Sequence, residues 1–348
     1  MEGHTPVTTE VPAPLTTEGH NIDPQSLSQA AALCQAVVEE VGKVFIGNPG
    51  LTQGLLIGLL SRSHMLLEGV PGVAKTTLAK GFSQVLGCDF KRIQFTPDLL
   101  PSDITGSYIL DPKKGSFELR EGPIFSQIIL GDEINRAPPK TQSALLEAMA
   151  EGQVTLEGQT RTMQQPFMVL ATQNPLEHEG TYPLPEAQLD RFLMKLHVGY
   201  PEPSAEKLML RTYSKPRPVA RTVLSPQAII ELQTMAAQIH IDDEVLDFVL
   251  ELIQFTRRHR RVAIGGSPRA SLALLHSARA RALMLGRDYV LPDDVKALAP
   301  PVISHRLALI PEAEMDAISP VSVVQEALSQ VPVRPLELRR LKTTERSR

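Results

Sequence analysis

Residues Glu68 to Lys80 read "EGVPGVAKTTLAK", and the meaning of this stretch decides how the chain folds. It comes within one residue of the phosphate-loop pattern G-x-x-x-x-G-K-[ST]: Gly69, Lys75 and Thr76 are in place, and Ala74 stands where the pattern has its second glycine. Apolar Met65 to Leu67 run into it and a helical pattern follows. In that order the N–H groups of the loop and of the first helical turn converge, and the helix dipole favours an anion there. The residues around the phosphates would be Gly69, Val70, Pro71, Gly72, Val73, Ala74, Lys75, Thr76 and Thr77. Lys75 would reach the β- and γ-phosphates and the Thr76 hydroxyl would sit on Mg²⁺. Alanine is tolerable at position 74 if the backbone there is right-handed, because glycine is required only for positive φ or a very close approach. The competing reading is a helix start with an incidental lysine.

Working outward, "IILGDE" places Asp132 and Glu133 at the C-terminal end of a buried strand, where ligands bind in open α/β sheets. Asp132 would hold Mg²⁺ through water and Glu133 would act as general base. At the end of the next strand, "VLATQNP" sets Gln173 and Asn174 where a terminal phosphate and an attacking water would lie; the local alternative is that Asn174 merely caps a strand before Pro175. Two arginines are further candidates. Arg191, in "PEAQLDRF", is read on a short helix before the last strand, with an ion pair to Asp190 or Glu186 as its local alternative. Arg269, in "GGSPRA", falls in the first turn of a helix capped by Ser267 with Pro268 at the first position. A cation is unfavourable there, so an anion such as a phosphate held between two domains would explain it; a local ion pair is the alternative.

The rest of the chain fits an α/β core followed by helices. With 348 residues two folded domains are expected, and 42 % hydrophobic with 21 % charged residues is globular composition. Residues 1 to 24 are rich in Thr, Pro and Glu and are expected to form a disordered leader. Helical spacing over Ser26–Glu40 is broken by "KVFIGNPG", and a second helix runs to Leu60. From there to about Tyr200 apolar runs alternate with helices, which indicates a parallel sheet buried on both faces. "GSYILDPKKGSFELREGPIF" and "QVTLEGQTRTM" read as inserted hairpins. Helical patterns fill residues 201 to 332, and 333 to 348 form a short basic tail. Cys34 and Cys88 fit no metal or redox spacing and are expected to be buried free thiols of a reducing compartment. The formal net charge of −4 does not suggest general attraction to nucleic acid. No apolar run reaches the roughly 20 residues of a membrane span, and no signal-like start is present, so a cytoplasmic protein is expected.

With these pieces in place the chain resembles an AAA+ ATPase of the MoxR family, over about Val41 to His305. The motifs that carry the likeness are "EGVPGVAKT", "RIQFTPDLLPSDITG", "EGPIF", "DEINRAPPKTQSALLEAM", "ATQNP", "LPEAQLDRF" and "SPRA"; alanine at position 74 is typical of that family's phosphate loop. The resemblance implies an α/β P-loop core over 25–200, with a parallel sheet flanked by helices and a helix-2 insert hairpin, then an all-helical lid. It implies ATP and Mg²⁺ as ligands, Lys75 and Thr76 as Walker A, Asp132 and Glu133 as Walker B, Asn174 as sensor 1 and Arg269 as sensor 2. Arg191 matches the arginine finger that acts on a neighbouring subunit, with Arg136 as a competitor. "KVFIG", including Ile46 and Gly47, matches the adenine loop, although Asn48 stands where glutamine is expected. By the same likeness the partners are copies of the chain in a ring, expected to be a hexamer, and client proteins. A partner with a von Willebrand factor A domain is also implied. A nucleic-acid motor or loader, or a metal-chelatase ATPase subunit, are the alternatives.

Overall fold

The computed structural model describes residues 22–175, 180–214 and 218–333. The expected leader, but for its last three residues, and the basic tail beyond Val333 lie outside the described residues. Helix α1 (Pro24–Val44) begins where Asp23 caps it, the carboxylate accepting from Ser26 N at 3.0 Å, and α2 (Pro49–Leu60) is capped by Asn48, whose side chain accepts from Gly50 N at 2.8 Å. That cap gives the unexpected Asn48 a local role.

A five-stranded parallel sheet follows in the order β2-β5-β8-β1-β9, built from β1 (His64–Glu68), β2 (Phe90–Gln94), β5 (Ile128–Asp132), β8 (Met168–Gln173) and β9 (Phe192–His197). Its central strands are apolar on both faces because both are covered. Met65, Leu67, Ile128, Leu130, Met168 and Leu170 point into one apolar cluster, and Leu66, Ile129, Val169 and Ala171 into the other, as the two-residue period of a strand requires. Helix α3 (Lys75–Val85) leaves the end of β1; α4 (Pro101–Thr105) precedes the hairpin β3 (Gly106–Asp111) and β4 (Ser116–Glu121); α5 (Pro139–Glu151) precedes the hairpin β6 (Gln153–Leu156) and β7 (Gln159–Thr162). Both inserted hairpins are found where the sequence places them, and they touch, Tyr108 Oη donating to Gln159 at 2.7 Å.

Helix α6 spans only Glu186–Leu189, shorter than the expected run to Phe192, because Phe192 already pairs with His64 of β1. The C-terminal region is helical: α7 (Pro203–Tyr213), α8 (Pro226–Gln238), α9 (Asp243–Arg258), α10 (Pro268–Met284), α11 (Pro292–Ile303), α12 (Pro311–Met315) and α13 (Pro320–Gln330). It adds a short antiparallel ribbon, β10 (Val262–Ile264) with β11 (Ala308–Leu309). The first apolar cluster does not stop at the end of the sheet. It runs from β1 through α1 to α3 and on to Leu232, Phe248, Leu274 and Val295 of the lid helices, so core and lid share one interior. Among the described residues no helix is long and apolar enough to cross a membrane, and Cys34 and Cys88 are free thiols, Cys34 buried and Cys88 partly so.

Candidate functional site

The loop after β1 is shaped by backbone constraints. At Gly69 a Cβ would stand 2.3 Å from the Val198 carbonyl oxygen, so no other residue fits, and Gly72 takes φ +86°. Ala74 takes φ 60°, ψ 28°, the left-handed region. The expectation of a right-handed backbone at this position is therefore wrong: the loop must reverse into α3, the geometry asks for glycine, and alanine bears roughly 1–2 kcal/mol of strain. As the N-cap of α3, Ala74 also offers no side-chain acceptor, so the first-turn N–H groups of Lys75, Thr76 and Thr77 have no side-chain cap and face the loop. Lys75 Nζ spans the mouth, donating to Gly69 O at 2.6 Å and Gln173 O at 3.5 Å.

Two strands away, the acidic pair is held by a set of polar residues. Buried Asp132 accepts through Oδ1 from Thr172 Oγ1 at 2.7 Å, and through Oδ2 from Arg92 Nε at 3.1 Å and Nη2 at 2.7 Å. Glu133 sits at φ 59°, another left-handed residue, with its N–H given to Thr172 Oγ1 at 2.8 Å. Its Oε2 accepts from Gln94 Nε2 at 2.9 Å and Arg136 Nη1 at 3.1 Å. Thr172, Arg92 and Gln94 were not among the residues singled out from sequence. A signal existed: Arg92 and Gln94 flank Ile93 on β2, so a two-residue step puts both on one face of the strand beside β5. Buried Asn174 follows β8, which lies between β5 and β1. The phosphate loop, Asn174 and the Asp132–Glu133 pair thus meet at the C-terminal ends of three adjacent strands.

Beside the loop lies a cavity of about 300 Å³. Val44, Phe45, Ile46, Met209, Tyr213 and Pro218 give it an apolar end, and Ala74, Thr76 and Thr77 a polar one. Gly47 follows this wall, close enough that a Cβ there would meet the Phe45 ring at 2.8 Å. Met209 and Tyr213 come from α7, with Tyr213 Oη donating to Val44 O at 2.7 Å, a contribution that sequence periodicity gives no means of locating. A cavity with an apolar end, beside uncapped helix amides and the Thr76 hydroxyl and at the strand ends that carry Lys75 and buried Asp132, fits a nucleotide with a divalent cation.

The two remaining arginines lie elsewhere. β1 and β9 run parallel, with Glu68 beside His197 and His64 beside Phe192. Arg191 therefore stands at the opposite end of the sheet from the phosphate loop, roughly 15 Å away at about 3.3 Å per strand residue. Its Nη1 donates to Leu146 O at 2.6 Å and its buried Nε has no hydrogen-bond partner among the described residues. Arg269, exposed in the first turn of α10, belongs to the same end: Ser267, the N-cap, donates to Asp190 at 2.9 Å, and buried Arg306 pairs with that carboxylate at 2.9 Å. The expected place for Arg269, over this chain's own nucleotide between core and lid, is not the one the fold provides, because the start of α10 is tied to the residue before Arg191. Arg136, in contrast, pairs with its own Glu133.

Residues 64–194 match the model of the "ATPase family associated with various cellular activities (AAA)", and residues 254–327 match the AAA lid domain. The chain is 43 % identical to the chaperone MoxR1 of Mycobacterium tuberculosis, over 91 % of this chain and 89 % of that one. This chain is a MoxR-family AAA+ ATPase. It is also 49 % identical to the uncharacterized protein YeaC of Bacillus subtilis, over 85 % of this chain and 93 % of that protein. A crystal structure from Cytophaga hutchinsonii, assigned as an ATPase, superposes with a TM-score of 0.84 at 40 % identity, covering 89 % of this chain and 98 % of that one. The MoxR ATPase assignment accounts for the strand order, the inserted hairpins and the helical lid together.

Proposed function

We propose that this MoxR ATPase binds ATP with Mg²⁺ at Gly69–Thr77 and hydrolyses it in a head-to-tail ring, a hexamer, to remodel or mature partner proteins in the cytoplasm. The observation that supports this most is the polarity of the sheet. Loop, base and Asn174 sit at one end, while Arg191 and Arg269 sit at the other. A site completed by a neighbour's arginines needs that separation, and a heterologous interface of this kind closes into a ring.

Within one subunit, Lys75 and the amides of α3 hold the phosphates, the slot lined by Phe45, Ile46 and Tyr213 takes the base, and Asn174 orients the attacking water. Thr76 and Asp132 would hold Mg²⁺, which would neutralise phosphate charge. Gln94 and Arg136 both engage Oε2 of Glu133, which leaves Oε1 to take the proton as the water oxygen bonds to the γ-phosphorus and ADP leaves. Arg191, with Arg269, then stabilises the phosphoryl charge across the subunit boundary, an effect of about 10³-fold or more for such arginines. Client contact is assigned to the ring loops. In the β3–β4 hairpin Leu110 and Phe117 face each other across the strands and are 50 % and 69 % exposed, an apolar face suited to a protein segment. A partner with a von Willebrand factor A domain would deliver the client.

The test is ATP turnover against protein concentration beside sedimentation with and without ATP and Mg²⁺. Specific activity that rises with assembly supports the reading. Activity absent at every concentration while ATP still binds overturns a self-sufficient ring.

A further inference from the structure

Arg306 is among the most buried charges in the chain, its side chain only 3 % exposed. Nearly every polar contact it makes is to the short segment around Arg191. Nε donates to Asp190 Oδ1 at 2.9 Å, Nη2 to Phe192 O at 2.6 Å and to Asp190 O at 3.4 Å, and Nη1 to Leu193 O at 3.0 Å. Nη1 also donates to Val302 O in the helix it follows. One guanidinium from the lid thus grips the backbone on both sides of Arg191 without touching Arg191 itself. The His305 ring adds a contact, its Nε2 lying 3.1 Å from Phe192 O.

Asp190 is the other half of the device. Besides Arg306 it accepts from Ser267 Oγ, at 3.1 Å to Oδ1 and 2.9 Å to Oδ2. Ser267 also caps α10 by accepting from Arg269 N at 3.1 Å, so the carboxylate that flanks Arg191 also fixes the helix start that carries Arg269. A buried ion pair is a poor source of stability compared with apolar filler of the same volume; what this one supplies is position. Arg191 needs it, because among the described residues its own side chain makes a single hydrogen bond, to Leu146 O.

We propose that Asp190 and Arg306 are positioning residues that register Arg191 and Arg269 together for the neighbouring subunit's phosphates. This rests on the reading that Arg191 acts in trans. Neither residue reaches the chain's own loop, so the loss of either acts on the neighbour's turnover and leaves the chain's own nucleotide binding intact.

The experiment uses the full chain and mixed assemblies. Asp190→Asn is expected to bind a fluorescent ATP analogue within about twofold of the parent, to sediment as the parent does, and to lose roughly tenfold or more of turnover, since a small misplacement of a reacting group has that scale of effect. Mixed with Lys75→Ala, which cannot use its own site but carries an intact arginine pair, it should regain turnover above the sum of the two alone. A residue that merely supports folding gives no such rescue. Ser267→Ala keeps the Asp190–Arg306 pair and should show a smaller loss with the same rescue, which keeps the test open if Asp190→Asn fails to fold. The control is Arg191→Ala mixed with Lys75→Ala. Rescue of Arg191→Ala without rescue of either Asp190→Asn or Ser267→Ala overturns the positioning role, as does parental turnover in both of those variants. No rescue of Arg191→Ala overturns the trans reading itself.

Discussion

Replacing Ala74 by glycine should stabilise the nucleotide-free protein. Ala74 occupies φ 60°, ψ 28°, a conformation that places an L-residue's Cβ against the following carbonyl and raises its energy by about 1–2 kcal/mol. Glycine has no such clash, but its unfolded backbone is freer, which takes back about 0.5–1 kcal/mol. The net gain for Ala74→Gly is therefore roughly 0.5–1 kcal/mol. In urea, with a slope of about 3 kcal/mol/M for a chain of this size, the midpoint should rise by about 0.2–0.3 M. Ala74→Val is the companion, because a β-branched residue in the same conformation is strained further and should lower the midpoint. Both are read without nucleotide, since a ligand that binds only the folded chain would mask the difference. A lower midpoint for Ala74→Gly, or no difference between glycine and valine, would refute the claim that backbone strain at this position is what alanine bears.

Glu133→Gln should keep ATP binding within about twofold and lose hydrolysis by a factor of about 10² or more, because the proton acceptor is removed while Asp132 is kept; turnover near the parental rate would remove Glu133 from the role of base. Burial pushes the His64 ring down to about 4, and burial together with neighbouring Arg306 pushes His305 down to about 3, both from 6.5. Folded rings then bind fewer protons than unfolded ones between those values and 6.5, so stability is fully present above pH 6.5 and falls on acidification by about 1.4 kcal/mol per pH unit for each ring. Melting temperatures from pH 7 to 5 check this, and His64→Gln should flatten the slope. Arg92→Met frees Asp132 Oδ2, so less Mg²⁺ should half-saturate nucleotide binding, by a few-fold because Arg92 is half exposed and its charge is screened; titration calorimetry at varied Mg²⁺ reads it directly.

The parts of the site that follow from strand ends were legible in the sequence. Apolar runs fixed β1, β5 and β8, and the residues after each run, Gly69–Lys75, Asp132–Glu133 and Asn174, converge because a parallel sheet aligns its C-terminal ends. What depends on lateral order was not legible. Arg92 and Gln94 matter because β2 lies beside β5, and Arg269 sits far from its own loop because the lid docks on Asp190 at the β9 edge. Nothing in the local pattern of "GGSPRA" reports that docking. Backbone angles were equally hidden: an alanine in sequence carries no sign of whether its φ is positive, and at position 74 only the turn into α3 decides it. Residues 320 to 330, read only as part of a helical region, form α13, whose Val323, Val324 and Ala327 close the interior shared with the sheet.

The separation of loop and arginines to opposite ends of one parallel sheet has a consequence for stoichiometry. On the trans reading, an open row of subunits always leaves one loop at its end without a neighbour's arginines. A pair has one competent site of two and a row of three has two of three, while a closed ring has them all. Turnover of the whole assembly is then a count of completed junctions, and the last subunit to join completes two of them.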